Sequence, residues 1–226
     1  MVYKNIEIVV ARYNEDLKWI LEPPFNQFKY IVYNKGVNDN FEKTNVFKIV
    51  SLDNVGRCDH TYLYHIVANF NNLATVTVFF PGSLNNPHKK ANAIKILENI
   101  KRERTGIFLG TRTNNLKKEF RHFTLNNWVC TDPLNSSLNN ESVLLPAVVR
   151  PYGNWFKYHF GDINVKYWCI HGVFSMHKLD IIKHNVERYI QLMLAVGRHS
   201  NPEVGHYIER SWAAIFHPLL LTKVIK

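Results

Sequence analysis

The first apolar stretch, IEIVVARY at residues 6–13, is nearly continuous rather than alternating. That pattern predicts a strand buried on both faces, as in a parallel sheet. Asn14, followed by Glu15 and Asp16, predicts the cap of a short helix that Pro23 and Pro24 stop. FKYIVYNKG (28–36) predicts a second strand ending in a glycine turn, and VFKIVSL (46–52) a third. In DNVGRCDHTYLYHIVANF (53–70) turn residues come first, and Leu63, Ile66, Val67 and Phe70 then recur at helical spacing. VTVFF (76–80) predicts a fourth strand, cut off by Pro81-Gly82-Ser83. A basic helix is predicted from Asn86 to about Arg104, with Ala91, Ile94, Leu97 and Ile100 on its apolar side. GIFLG (106–110) reads as another strand.

Beyond residue 110 the periodicity weakens. Residues 111–155 carry Asn, Ser and Pro without a clear repeat. Residues 164–184 read as a strand, a glycine turn and a helix, and two more helices are predicted at 187–196 and 203–216. Alternating strands and helices in the first half predict an α/β fold with a mostly parallel sheet. No linker divides the chain, so the expectation is one domain over residues 1–226. Its first half, 1–110, is Rossmann-like, and its second, 111–226, is more irregular.

Composition narrows the partners. The 226 residues are 46% hydrophobic, enough for a substantial core. No apolar run approaches the ~20 residues of a membrane span, and MVYKNIEIVV lacks a signal peptide's order of regions. Cys58, Cys130 and Cys169 are odd in number and widely spaced, which argues against a disulfide framework. The expected location is therefore cytoplasmic. The net charge of +10 favours anionic partners. It is dispersed over HKK (88–90), KRER (101–104) and LKKEFRH (116–122), each of which also reads as plain solvated surface. No nucleic-acid module or basic stripe is recognisable, although a basic nucleic-acid-binding protein is the rival class that the charge allows.

In an open α/β sheet the C-terminal ends of the strands share one crevice. Here those ends carry Arg12-Tyr13-Asn14-Glu15, Asn34-Lys35-Gly36, Asn54-Val55-Gly56-Arg57 and Pro81-Gly82-Ser83. Arg and Lys beside helix N-termini make an anion site, and Gly56 would let the backbone approach a phosphate. Each of these is also an ordinary strand-to-helix turn. Neither the Gly-rich dinucleotide fingerprint nor a phosphate loop is present.

The first half resembles the nucleotide-sugar half of GT-A-fold glycosyltransferases, above all those of family 2, in VVARYNED, in YNKG and in NVGRCDHTYLYHIVANFNNLATVTVFF. The whole chain is more similar still to a group of small fungal and algal-virus domains. They share RYNED, YNKG, the GR-x-x-HTYLYHI helix and a late E-x-x-W helix. The resemblance implies transfer of a sugar from a nucleotide-sugar, UDP-linked by default, to a hydroxyl on a glycan. It places the nucleoside near Tyr13, Asn14 and Asn34, and Arg12, Lys35, Gly56, Arg57 and His60 around the diphosphate.

The resemblance also implies a divalent metal, Mn²⁺ or Mg²⁺, held by carboxylates at the end of the fourth strand. That position reads Pro81-Gly82-Ser83, where Ser83 is at most a neutral ligand, and the next acid along the chain is Glu98. Three readings of the gap stay open. Arg and Lys neutralise the leaving group, or a metal is held by Asp59, His60 or His171, or binding persists without catalysis. On the acceptor side NPEVGHYIERSW offers Glu203 and Glu209 as alternative bases, with Arg210 completing the family pattern and Val204 departing from it. His171 would lie near the sugar or metal. Trp155, in the aromatic stretch RPYGNWFKYHF (150–160), is expected either to stack on the acceptor or to pack in the core.

Overall fold

The structure is a computed structural model that describes residues 5–129, 143–169 and 171–226. The predicted strands pair into one sheet. Strands β1 (Ile6–Arg12), β2 (Tyr30–Asn34), β3 (Val46–Ser51) and β4 (Val76–Pro81) are all parallel, and β8 (Phe174–His177) joins β4 antiparallel. The strand order is β3-β2-β1-β4-β8. With β1 central and paired on both sides, its unbroken apolar run has a direct cause: both of its faces are covered.

Alternate strand residues feed two separate cores. Val9, Ala11, Ile31, Tyr33, Phe79 and Phe174 face the helices α1 (Arg57–Ala68), α4 (Tyr152–Phe160), α6 (Val186–Val196) and α7 (Glu203–Ile215). Ile8, Val10, Tyr30, Val32, Val78 and Phe80 face α2 (Pro87–Glu103) and the 3-10 turns at Lys18–Leu21 and Phe25–Gln27. The result is a mixed α/β architecture of three layers around a mostly parallel sheet.

The remaining elements are short. They comprise β5 (Ile107–Leu109) paired with β9 (Lys223–Ile225), β6 (Thr111–Arg112) paired with β7 (Tyr167–Trp168), and helices α3 (Leu116–Glu119) and α5 (Lys178–Ile182). Among the described residues, no helix is long and apolar enough to cross a membrane.

Three expectations change. Asn14 caps no helix; Leu17, at φ 56°, precedes a 3-10 turn instead. On α2 the buried positions are Ala93, Ile96, Leu97 and Ile100, so the apolar face is rotated from the predicted one and Ala91 is exposed. The aromatic stretch after Arg150 is the helix α4, and Trp155 on it is 2% exposed. Its ring lies among Tyr152, Phe160 and Tyr207, so Trp155 packs the core and offers no face to a sugar.

Candidate functional site

The ends of β1, β2 and β4 do converge. Arg12 pairs with Asn34 across the sheet, and Gly82 donates its N–H to the Ala11 carbonyl at 2.7 Å. Gly36 packs so tightly on the Tyr13 carbonyl that a Cβ would come within 1.8 Å of it. Tyr13 and Asn14 therefore sit beside Asn34 and Lys35 as expected, both half-buried, and the Asn14 Oδ1 is covered with no partner.

The cations expected to line this edge are committed elsewhere. Arg12 is 1% exposed. It donates to the Glu15 carbonyl at 2.9 Å, to Asn34 Oδ1 at 2.7 Å, and to the carbonyl and Oδ1 of Asn38 at 2.6 and 3.0 Å. Its guanidinium ties the loop after β2 to β1, which leaves little for a phosphate. Asn34 is bound into the same knot. Lys35, 7% exposed, donates to the Val55 and Arg57 carbonyls and holds the start of α1 against the end of β2. Burial lowers this ammonium to about 8.

Gly56 has a different function from the expected one. It adopts φ +60°, where L side chains are disfavoured, and a Cβ there would lie 2.8 Å from the Val196 carbonyl. It lets α1 pack on the end of α6 rather than on a phosphate. His60 faces the same way, against Gly197, and burial lowers its imidazole to about 4. Arg57, also left-handed at φ 54°, turns onto α7. Its stem lies over Gly205, and its guanidinium stacks 3.7 Å from the Trp128 ring centroid.

The two candidate bases on α7 have separate fates. Glu203 is fully buried. It accepts from the Leu125 and Ala147 N–H groups, each at 2.8 Å, and from the Tyr207 hydroxyl at 2.7 Å, and it pairs with Arg150 at 3.0 Å. Three hydrogen bonds and the Arg150 ion pair hold both oxygens in a fully buried place, so Glu203 is a structural clamp rather than a base open to an acceptor. Glu209 is half-buried. Its Oε1 accepts from the His171 N–H at 2.7 Å, and its Oε2 lies 3.7 Å from Arg210.

That contact brings Glu209 to the crevice. Residues 171–173 enter β8, which is antiparallel to β4 with Phe79 opposite Phe174, so they lie at the C-terminal edge of β4 beside Pro81-Gly82-Ser83. Two left-handed pairs meet there, Gly56-Arg57 and His171-Gly172, and a Cβ on Gly172 would lie 3.0 Å from Cys58 Sγ. Burial lowers the His171 imidazole; Glu209 opposes this, and Lys89 and His88 add to it. Ser83 is 7% exposed and accepts a hydrogen bond from Lys89 Nζ at 2.7 Å.

Asp59 completes the group. It is 2% exposed and accepts from Trp212 Nε1 at 3.0 Å. Burial, and then the charge of Glu209, push its carboxyl up to about 8 against Arg57, Trp212 and Lys35. Near neutral pH it is mostly protonated. No group of three His, Cys, Asp or Glu side chains that could hold a metal occurs among the described residues. Asp59, His60 and His171 thus do not assemble into a ligand set, and His60 points toward α6. One carboxylate does reach the β4 end: Glu15 Oε2 would lie 2.7 Å from a Cβ on Gly82, and it accepts from the Tyr13 N–H at 2.7 Å.

Lys89 was not singled out by sequence, although a signal was present. Asn86 caps α2, and the first turn carries His88, Lys89 and Lys90 with no acid. Cations at the positive end of a helix dipole oppose the usual preference. His206 was also missed. A lone histidine inside an apolar helical repeat has no sequence signature. It is 6% exposed, its Nε2 has no partner, and burial, Arg57 and Arg210 lower it to about 3.

A comparison with curated proteins finds no match. Residues 8–221 match the family described as a protein of unknown function, DUF3431, and the chain, matched over nearly its whole length, belongs to that family.

Proposed function

We propose that the chain is a glycosyltransferase that moves a sugar from a nucleotide-sugar to a hydroxyl acceptor, with Glu209 as general base. The observation that carries this reading is the meeting, at the C-terminal edge of β4, of a half-buried carboxylate with a cationic helix start. Glu209 reaches that edge through the His171 N–H, and Lys89 reaches it through Ser83.

The chemistry follows from the placement. In the first turn of α2 Lys90 is paired with Glu22, while His88 and Lys89 stay on the positive dipole end, where an anion would be favoured. Lys89 and the helix start would neutralise the leaving diphosphate, the task that metal-bound carboxylates perform in the enzymes the sequence resembles. Should a divalent cation take part, its own charge would supply that neutralisation together with the substrate's oxygens. Tyr13 and Asn14 remain beside the nucleoside position. Glu209 takes the proton of the acceptor hydroxyl as the glycosidic bond forms and the nucleoside diphosphate leaves.

The test is a thermal-shift screen of UDP-sugars, with Mn²⁺ and with chelator, followed by turnover assays. Specific donors raise the melting midpoint. Glu209→Gln is expected to keep that shift and to lose about 10²–10⁴-fold in kcat. Donor binding with no turnover in the native protein would leave a binding domain only. Absence of any donor response, together with salt-sensitive binding to DNA or RNA, would move the chain to the nucleic-acid class.

A further inference from the structure

We propose that Arg57, His206 and Arg210 form the acceptor subsite of this same site, and that the acceptor carries a negatively charged group, a carboxylate or a phosphate on its sugar. The inference rests on the transferase reading for the word acceptor; the anion site itself rests on geometry.

His206 lies on α7 with its ring 6% exposed and its Nε2 covered and without a partner. Two guanidinium groups flank it. Arg57 reaches over Gly205 from α1 and makes no ion pair among the described residues. Arg210 donates to the His206 carbonyl at 2.9 Å, and its Nε is buried without a partner. The acid beside Arg210 is Glu209, 3.7 Å away. Asp59, the other acid beside Arg57, holds its proton near neutral pH.

Two cations and an unsatisfied ring nitrogen in a largely dry place are costly to hold together. An anion between them satisfies all three, and a guanidinium matches a carboxylate or phosphate with two parallel hydrogen bonds. The aromatic walls hold the two guanidinium groups in place beside His206. The Trp128 ring lies 3.7 Å from Arg57 and 5.1 Å from His206, and Phe123 lies 4.0 Å from Arg210. Glu209 Oε2 lies 3.7 Å from Arg210 Nη1, so a sugar whose charged group is held by Arg210 has a hydroxyl near the base.

The same chemistry would accept the donor's pyrophosphate, and the experiment separates the two. Histidine-labelled protein is titrated by NMR with glucuronate, glucose 6-phosphate, glucose and pyrophosphate. The variants are Arg57→Met and Arg210→Met, which keep the apolar stems, with exposed Lys48→Met as the charge control. Glucuronate or glucose 6-phosphate is expected to shift the His206 ring signals and raise the pH at which the ring titrates. Glucose should do neither. Each arginine variant should weaken binding at least about tenfold, and the control should not. The His206 titration in the native protein needs no variant, so it stands if a variant fails to fold. If pyrophosphate alone moves His206, the site belongs to the donor and the proposal falls; if nothing moves it, the proposal falls outright. UDP-glucose thermal shifts on the same samples report the transferase reading separately. Charged-sugar binding without any nucleotide-sugar response would keep the anion site and remove the transferase.

Discussion

Four groups aim at the carboxylate of Glu203: two backbone N–H groups, a tyrosine hydroxyl and Arg150. Removing its charge leaves donors from three separate segments facing a weaker acceptor in a dry place. Breaking a buried pair on one side costs about 3 kcal/mol, so Glu203→Gln should lower the urea midpoint sharply. An unchanged midpoint would contradict the clamp. Glu209, six positions on and half-buried, should show the reverse, with turnover lost and stability nearly kept. Sequence spacing alone could not separate these two acids, because three of the four groups that occupy Glu203 come from residues 125, 147 and 150, far away along the chain. Asp59 gives a second residue-scale prediction. Its folded carboxyl titrates near 8 and its unfolded one near 3.8. Between those values the unfolded chain has lost the proton and the folded one keeps it. Stability therefore falls as pH rises through that window, with a slope of up to about 1.4 kcal/mol per pH unit. Asp59→Asn keeps an acceptor for Trp212 and removes the titration. It should be more stable than the native protein at about pH 8, with the difference shrinking toward about pH 5. Parallel denaturation curves for the two proteins at both pH values would show that Asp59 does not bear this penalty.

Among the elements, the parallel strands were legible because burial on both faces leaves unbroken apolar runs, as in IEIVV and VTVFF. Helix α1 was legible because Leu63 and Ile66 of the expected face are buried, although Thr61, Tyr62 and His65 are buried too and Val67 only partly. Helix α4 was not, because Tyr152, Trp155, Phe156 and Phe160 sit among aromatic and basic residues that suit a strand or loop equally well. On α2 two faces compete. Ile94 is partly buried, so Ala91, Ile94 and Leu97 mimic a face, whereas Ala93, Ile96, Leu97 and Ile100 meet the sheet. Ile96→Ala should cost about 3 kcal/mol by leaving a cavity, while Ala91→Glu on the exposed side should stay within about 0.5 kcal/mol. Equal effects in chemical denaturation would put the predicted face back in the core. The site was legible only in part for a related reason. Chain order places residues at the ends of strands, but hydrogen bonding decides which are left over for a ligand. Arg12 and Lys35 sit where expected and are bound inward, whereas Lys89 donates to Ser83 and Arg57 stacks on Trp128 from the two flanking helices.

For the molecule as a whole, the charge of +10 coexists with several histidines that are buried neutral. Burial lowers His60, His159 and His184 to about 4 and His206 to about 3. Unfolded, each would titrate near 6.5. Above that pH neither state binds these protons. As pH falls below it, the unfolded chain takes them up and the folded chain does not, so folding loses stability down to about pH 4. Asp59 acts in the opposite direction over about pH 4 to 8, but with one proton against these four and the lowered His171 and His217. The histidines dominate the acid limb, and Asp59 leads from about pH 6.5 until Lys35 joins near pH 8. Lys35, lowered to about 8 from 10.5, begins to lose its proton from the folded state near the top of that span, which raises stability with pH and opposes Asp59 there. The urea midpoint should therefore rise from about pH 4.5 to about pH 6.5 and then decline more gently toward pH 8. Replacing the most buried of the four, His206→Gln, should flatten the acid limb by about one proton's slope. An acid limb of unchanged steepness in that variant would mean that His206 is not held neutral between its two arginines, and would remove a premise of the anion subsite as well.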